Sequence, residues 1–393
     1  MRPKETEQGY TLVELLVSML IFSVVMTLIS VSFGRIVRSS SQLGRSAESD
    51  IAGLIGLEVM RSDVELAGFG LPWSVPSEIN YSEAGVAEQF VNSCSDGCPD
   101  AMPSRYNDRP YMDAPPAYRV GDNVGFNGSD YLVLKGTALG TSSVCRSWCY
   151  LKKGGVTRPS RVSPELSRGS RDRVIVLRNE IGPDGASRSL VSKGSDFTVA
   201  LDNDGFPEAF TPAEATDTYL VYGVANYYSD AELSFPFNRS DYYINRKVDK
   251  MSKSCNEGTG MLYKTVVNHQ GDPTKYPLLD CAADMQVVLY LDTNGDGEID
   301  YHPVLAREIP TAQKLREQLK EIRVYVLAQQ GLPDPAFFYP VATPSRAIVV
   351  GDPALSDELG HVWSERALAQ RFGENWRNYH WKVYTIVVQP KNL

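Results

Sequence analysis

The sequence predicts an α+β protein: a long N-terminal α-helix, transmembrane in its first half and amphipathic in its second, packed on a mainly antiparallel β-sheet head with loop-rich insertions. Three observations predict it. No charged residue occurs from Leu15 to Gly34. Apolar residues then recur at three- and four-residue steps as far as Val64, among charges. Past Pro72, short β-branched runs bounded by Gly, Asp and Asn follow one another.

Composition sets the outer limits. A chain of 393 residues, 42% hydrophobic and 22% charged, is ordinary globular material, long enough for one large core or two smaller ones. A net charge of −9 and a pI near 5.2 argue against a general nucleic-acid binder, which needs clustered Lys and Arg. The six cysteines all follow the apolar run, an even number that reads as disulfides if that part is exported.

The uncharged run spans about 20 residues, roughly 30 Å as a helix, enough to cross a hydrocarbon core. A secretory signal would have a shorter apolar core with a small-residue cleavage site after it, whereas here the small residue, Gly9, comes before. Arg2 and Lys4 flank one side and Arg35, Arg38 and Arg45 the other, so charge does not fix orientation. Glu14 lies at the mouth of the run. An ionisable group costs about 2.5–3.5 kcal/mol at the bilayer centre, less near an interface, and usually has a partner. Glu14 is one turn from Tyr10. A cut after Gly9 would give Tyr10 a new α-amino group for that carboxylate to meet.

Gly9-Tyr10-Thr11-Leu12-Val13-Glu14, behind a short charged leader and ahead of an apolar helix, resembles the class III signal of type IV pilins and type II secretion pseudopilins. The resemblance implies a pilin-like fold, a leader of residues 1–9, cleavage between Gly9 and Tyr10 by a prepilin peptidase, and N-methylation of Tyr10. It also implies that Glu14 forms an assembly salt bridge with the terminal amine of a neighbouring subunit. Tyr10 stands where Phe is usual in that family, and the proline that many major pilins carry inside the segment is missing. Both departures weigh against a major subunit.

On this reading the transmembrane helix covers 10–34, its amphipathic continuation 35–66 and the head 67–393. In the continuation, Leu43, Ala47, Ile51, Leu54, Ile55, Leu57 and Val64 supply the apolar face. Gly44, Gly53 and Gly56 each weaken an isolated helix by about 1 kcal/mol, so packing on the head is expected to compensate. Gly68, Gly70 and Pro72 stop the helix, which from Tyr10 to Leu66 would be roughly 85 Å long. Residues 73–116, rich in Pro, Ser, Asn and Asp, read as a loop-rich insertion. The runs DYLVLKG, DRVIVLRNE, DFTVALD, TYLVYGVA, MQVVLYLD, IRVYVLAQ and WKVYTIVVQ read as strands, and Thr311 to Glu321 as a short helix before IRVYVLAQ.

ELAGFGLP (Glu65 to Pro72), DTNGDGEID after a strand, LKEIRVYVLAQ and the terminal WKVYTIVVQPKNL resemble PilW-type minor pilins, most strongly over residues 1–72 and in patches toward the C terminus. This resemblance implies a low-abundance fimbrial subunit, single-pass in the inner membrane with its head outside the cytoplasm, and at the cell surface after assembly. Its implied partners are membrane lipid, the inner-membrane assembly platform, the major pilin and other minor pilins, with which it primes assembly and caps the tip. The alternatives are a type II secretion pseudopilin of the J kind, whose heads are usually smaller, a pilus-tip adhesin, and a secreted enzyme on a pilin-like anchor.

Asp292 to Asp300 matches the first half of an EF-hand loop, with Asp292, Asn294 and Asp296 giving side-chain oxygens, Glu298 its carbonyl, and Asp300 direct or water-mediated ligation. The twelfth place is Pro303, so a strand-flanked calcium loop is expected rather than a helix-flanked sensor. A hairpin built on Asn-Gly and Asp-Gly is the alternative. Four carboxylates in nine residues favour calcium, because they repel without a cation. For the cysteines, local pairs Cys94–Cys98 and Cys145–Cys149, leaving Cys255–Cys281, are the simplest connectivity, with crossed pairing of the two C-x₃-C motifs as the rival. The spacing fits neither structural zinc nor a C-x-x-C redox motif. Catalysis has little support: no G-x-S-x-G, H-E-x-x-H or P-loop occurs, and His269, His302, His361 and His380 are scattered. The tyrosines near 227–245 read as exposed strand and loop aromatics.

Overall fold

A computed structural model describes residues 11–85, 103–108, 114–157, 166, 169–182, 185–202, 205–227, 233–246, 251–271, 273–303, 311–352, 354–355 and 357–393. The fold is α+β: a long N-terminal helix, α1 (Leu12–Leu66), followed by a mainly antiparallel β head. The chain divides into two compact units, Met1–Ile51 and Ala52–Leu393, with the division inside α1.

The strands of the second unit are β1 (Tyr118–Gly121), β2 (Tyr131–Gly136), β3 (Trp148–Lys152), β4 (Gly155–Thr157), β5 (Arg173–Gly182), β6 (Gly185–Leu190), β7 (Val199–Ala200), β8 (Tyr219–Ala225), β9 (Asn238–Asn245), β10 (Gly260–Val267), β11 (Pro273–Leu291), β12 (Leu319–Gln330), β13 (Ile348–Gly351), β14 (Gly360–Trp363) and β15 (His380–Val388). Among the described residues, the main sheet has seven strands in the order β1-β2-β9-β10-β11-β12-β15, each neighbouring pair antiparallel. A second sheet runs β4-β3-β8-β5-β6 with β7 on β5, and β13 pairs with β14.

Alternation along β12 sorts the core of the main sheet. Val324, Val326 and Ala328 face one cluster with Leu57, Met60 and Val64 of α1, while Tyr325 and Leu327 face another with Trp363, Leu368 and Phe372. The sheet is therefore covered by α1 on one side and by α3 (Glu365–Phe372) with β13 and β14 on the other. The second sheet sorts likewise, Ile175 and Leu177 facing one cluster and Val174 and Val176 another.

Close approach explains the helical glycines. A Cβ on Gly56 would lie 2.1 Å from the Leu278 carbonyl oxygen, and one on Gly53 would lie 2.6 Å from Leu279 Cδ1. Their missing side chains let α1 settle onto β11, and that packing offsets the propensity cost. Polar pins add register. The Tyr242 hydroxyl donates to Asp63 Oδ2 at 2.6 Å, Lys264 Nζ sits 2.5 Å from the same oxygen, and the Tyr118 hydroxyl donates to the Val64 carbonyl. Gly68 (φ +88) and Gly70 (φ +68) then end the helix in left-handed backbone.

Several expectations need correction. The helix expected at Thr311 to Glu321 is shorter: α2 (Ala312–Gln318) is N-capped by Thr311, and β12 already begins at Leu319. DFTVALD yields only the two-residue β7. Tyr242 and Tyr243 are core residues rather than exposed aromatics, 0% and 1% exposed. Tyr243 stands in a stack with Tyr131 and Tyr106 at centroid spacings of 5.4 and 4.7 Å.

Candidate assembly site at the N terminus

Gly9 and Tyr10 lie outside the described residues, so the site begins at Thr11. Thr11 precedes the helix and Glu14 is its third residue. The Thr11 backbone N–H and hydroxyl both donate to Glu14 Oε2 at 2.9 Å, and the Glu14 N–H donates back to Thr11 Oγ1 at 3.3 Å. This is a capping box, in which two side chains satisfy orphan backbone donors of the first turn reciprocally. Thr11 is thus the residue that holds Glu14 in place at the start of the helix. Its signal, Thr-x-x-Glu ahead of an apolar run, was present in the sequence.

From Leu12 to Gly34 the helix has a mean hydropathy of 2.5, and none of that window is buried against the rest of the chain. Three polar side chains within it turn inward on their own helix. Ser18 Oγ donates to the Leu15 carbonyl, Ser23 Oγ to Leu20 and Thr27 Oγ1 to Ser23, at 2.8–2.9 Å. Hydroxyls bonded this way can sit in hydrocarbon without an unmet donor. The segment is suited to membrane anchoring, with an acid held at its mouth by a local cap.

The family model described as the prokaryotic N-terminal methylation motif matches residues 6–30. The N terminus is a class III prepilin-type signal. No curated protein and no solved structure matches the chain. The matched stretch covers Gly9, Tyr10, Thr11 and the capped Glu14 together.

The other candidate residues belong to the second unit. Cys255 and Cys281 form a disulfide that joins the approach to β10 with a bulge in β11. Cys145 and Cys149 do not pair, contrary to the simplest connectivity; both are buried free thiols. The elements direct them apart. Cys145 sits in a 3₁₀ turn, Ser143–Arg146, and its sulfur donates to the Val224 carbonyl at 3.0 Å. Cys149, on β3, packs with Leu151, Val174 and Val176. Burial pushes both thiols up to about 11. Cys94 and Cys98 lie outside the described residues.

Cys145 lines a cavity of about 250 Å³ together with Asn238 and His269. Among the described residues neither His269 ring nitrogen, both buried, has a hydrogen-bond partner; its ring packs on Phe235 at 4.4 Å, and burial pushes its pKa down to about 4.

The acidic loop closes on itself. Asp292 Oδ1 accepts from the Gly295 N–H at 2.6 Å and Oδ2 from the Gly297 N–H at 3.0 Å, while Lys320 Nζ lies 3.1 Å from Oδ2. Burial pushes the Asp292 carboxyl up, but the Lys320 ammonium and the two amides outweigh it and hold the group below the usual carboxylate range. Asn294 accepts from the Asp296 N–H, Asp296 from Glu298, and Asp300 from Thr293. Among the described residues no three Asp, Glu, His or Cys side chains converge as a metal cluster.

Proposed function

We propose that the chain is a minor pilin. It enters the inner membrane through α1 with its head outside the cytoplasm, is cut after Gly9 and methylated on Tyr10, and joins other minor pilins in priming a type IV pilus. Its work is assembly rather than turnover. The observation that carries this reading is the methylation motif over residues 6–30 running directly into an exposed apolar helix. In the assembled state the apolar helix supplies lateral packing, Glu14 pairs with the new amine of a neighbour, and the head supplies selective contacts to other minor pilins. A clean deletion tests it. Surface pili and co-purifying minor pilins should both fall sharply; normal piliation with full partner recovery rejects the reading. Normal pili with lost adhesion would instead favour a tip adhesin.

We also propose that calcium occupies the 292–300 loop, displacing Lys320 from Asp292. The support is chemical: hard oxygen donors at alternating positions, and glycines at positive φ where the loop turns, Gly295 (+78) and Gly297 (+92). Calcium should raise the melting temperature relative to chelator. Equal melting temperatures leave a self-closed turn.

A further inference from the structure

The centre of the head buries an unusual set of charges. Lys135 on β2 and Arg239 on β9 are cross-strand neighbours, and both are fully buried. Arg239 has its own acid, holding Asp241 through two bonds of 2.7 and 2.8 Å, and also donates to Glu83 Oε2 at 3.0 Å. Lys135 is arranged differently. Its Nζ lies 2.6 Å from Asp108 Oδ1 and 2.9 Å from Glu83 Oε1, and both carboxylate side chains are only 1% exposed. The Asp108 backbone N–H donates to Glu83 Oε1 at 2.7 Å, which fixes the two acids relative to each other. The Tyr81 hydroxyl donates to the other Asp108 oxygen, Oδ2, at 2.7 Å. The Phe237 ring lies 5.1 Å from Nζ and shields it.

These are the parts of an amide condensation. An amine is held against a carboxyl, a second carboxylate touches the amine, a hydroxyl donates to the carbonyl oxygen, and burial excludes bulk water. We propose that Lys135 and Asp108 join in an intramolecular isopeptide bond, with Glu83 as the proton shuttle. The Lys135 ammonium gives a proton to Glu83. The neutral nitrogen attacks Asp108 Cγ, and the carbonyl pair moves onto Oδ2, where Tyr81 donates. Glu83 passes its proton to the Oδ1 hydroxyl and takes one from the nitrogen. The Cγ–Oδ1 bond then breaks, water leaves, and the carbonyl re-forms on Oδ2. Ammonium, carboxylic acid and carboxylate become amide, water and carboxylic acid, so no oxidant or external donor is needed.

The protonation states suit the roles. Burial lifts the Asp108 carboxyl above the usual carboxylate range; the Lys135 charge pulls it back and the Glu83 charge adds to the rise. Glu83 is also desolvated, but Lys135 and Arg239 more than offset this and hold it below that range. The reaction has a physical motive as well, because it replaces buried charges, which are costly to desolvate, with a neutral amide. The product would close a covalent ring through residues 108–135 and staple the segment before β1 to the wholly buried β2.

The full chain, purified in detergent, reduced, alkylated and digested with trypsin, tests this. Cleavage at Lys135 should be blocked. Tyr106–Arg119 should be found joined to Val120–Arg146, lighter than the two together by one water. Three linear peptides, Tyr106–Arg119, Val120–Lys135 and Gly136–Arg146, would overturn the bond and leave an ion pair only. K135R should abolish the link, and E83Q should yield the unlinked form; a linked E83Q at wild-type yield overturns the shuttle role. Because Glu83 also holds Arg239, circular dichroism checks that E83Q folds, and the wild-type digest decides the bond whatever that variant does.

Discussion

The apolar half of α1 and the centre of the head share one problem, polar groups placed out of reach of water. They answer it at different distances along the chain. In α1 the Ser18, Ser23 and Thr27 hydroxyls find carbonyls three or four residues back, and Glu14 finds Thr11 three residues away. In the head, Arg239 reaches Glu83, 156 residues away, and Asp63 is met by Tyr242, 179 residues away. A local answer survives without tertiary structure, which suits a segment apolar enough to sit in lipid. A non-local one exists only once the head has closed, so those groups hold the fold to a single arrangement and are costly to break.

The difference makes testable demands. The largest effect is expected at Arg239. R239A leaves Asp241 buried without its cation and Glu83 with Lys135 alone, and should cost about 3–5 kcal/mol, read by chemical denaturation in detergent. A loss below about 1 kcal/mol would place the network on the level of an exposed pair.

His269 should make the head acid-sensitive. Burial lowers its pKa from 6.5 to about 4, so in that window the unfolded chain binds a proton that the folded chain does not. Its contribution is therefore complete above pH 6.5 and is lost as pH falls from 6.5 to about 4, by at most about 3 kcal/mol. H269F should flatten that part of the pH–stability profile; an unchanged slope would mean that the ring is solvated in solution.

One substitution at two points of one helix gives the most direct contrast. G56A drives a Cβ toward the Leu278 carbonyl and should cost about 1–3 kcal/mol. A Cβ on Gly34 meets nothing within 4 Å, so G34A should be neutral or stabilise by up to about 1 kcal/mol. Equal effects would erase the distinction between the two halves.

The smallest effect concerns the cap. T11A removes a cap worth about 1 kcal/mol and should leave pilus incorporation near normal, whereas E14A should impair it. Equal defects in an incorporation assay would reduce Glu14 to a capping residue.

The same divide governs what could be read from the chain. The helix, its stop at Gly68 and Gly70, and strands β5, β8, β12 and β15 follow from period and β-branching, which are local. β9 was missed because Asn238-Arg239-Ser240-Asp241 looks like surface. Arg239 and Asp241 pair within the strand, and the remaining Arg239 donors are met by Glu83 and Asn107, brought in from distant sequence. The first half of β11 was hidden by Pro273 and Pro277. The N-terminal motif was legible because it is a linear string, which the family model over residues 6–30 matches. The separation of Cys145 from Cys149 was not, because spacing does not say that a 3₁₀ turn and a strand send the two sulfurs into different surroundings.

Those two thiols carry a practical consequence. With their pKa raised and their sulfurs enclosed, a maleimide meets almost no thiolate at either position while the head stays closed. Modification of the peptides that contain Cys145 and Cys149 therefore runs as a clock, started by each opening of the head. Comparing the two rates under one protocol would show whether the turn and the strand open together or one ahead of the other.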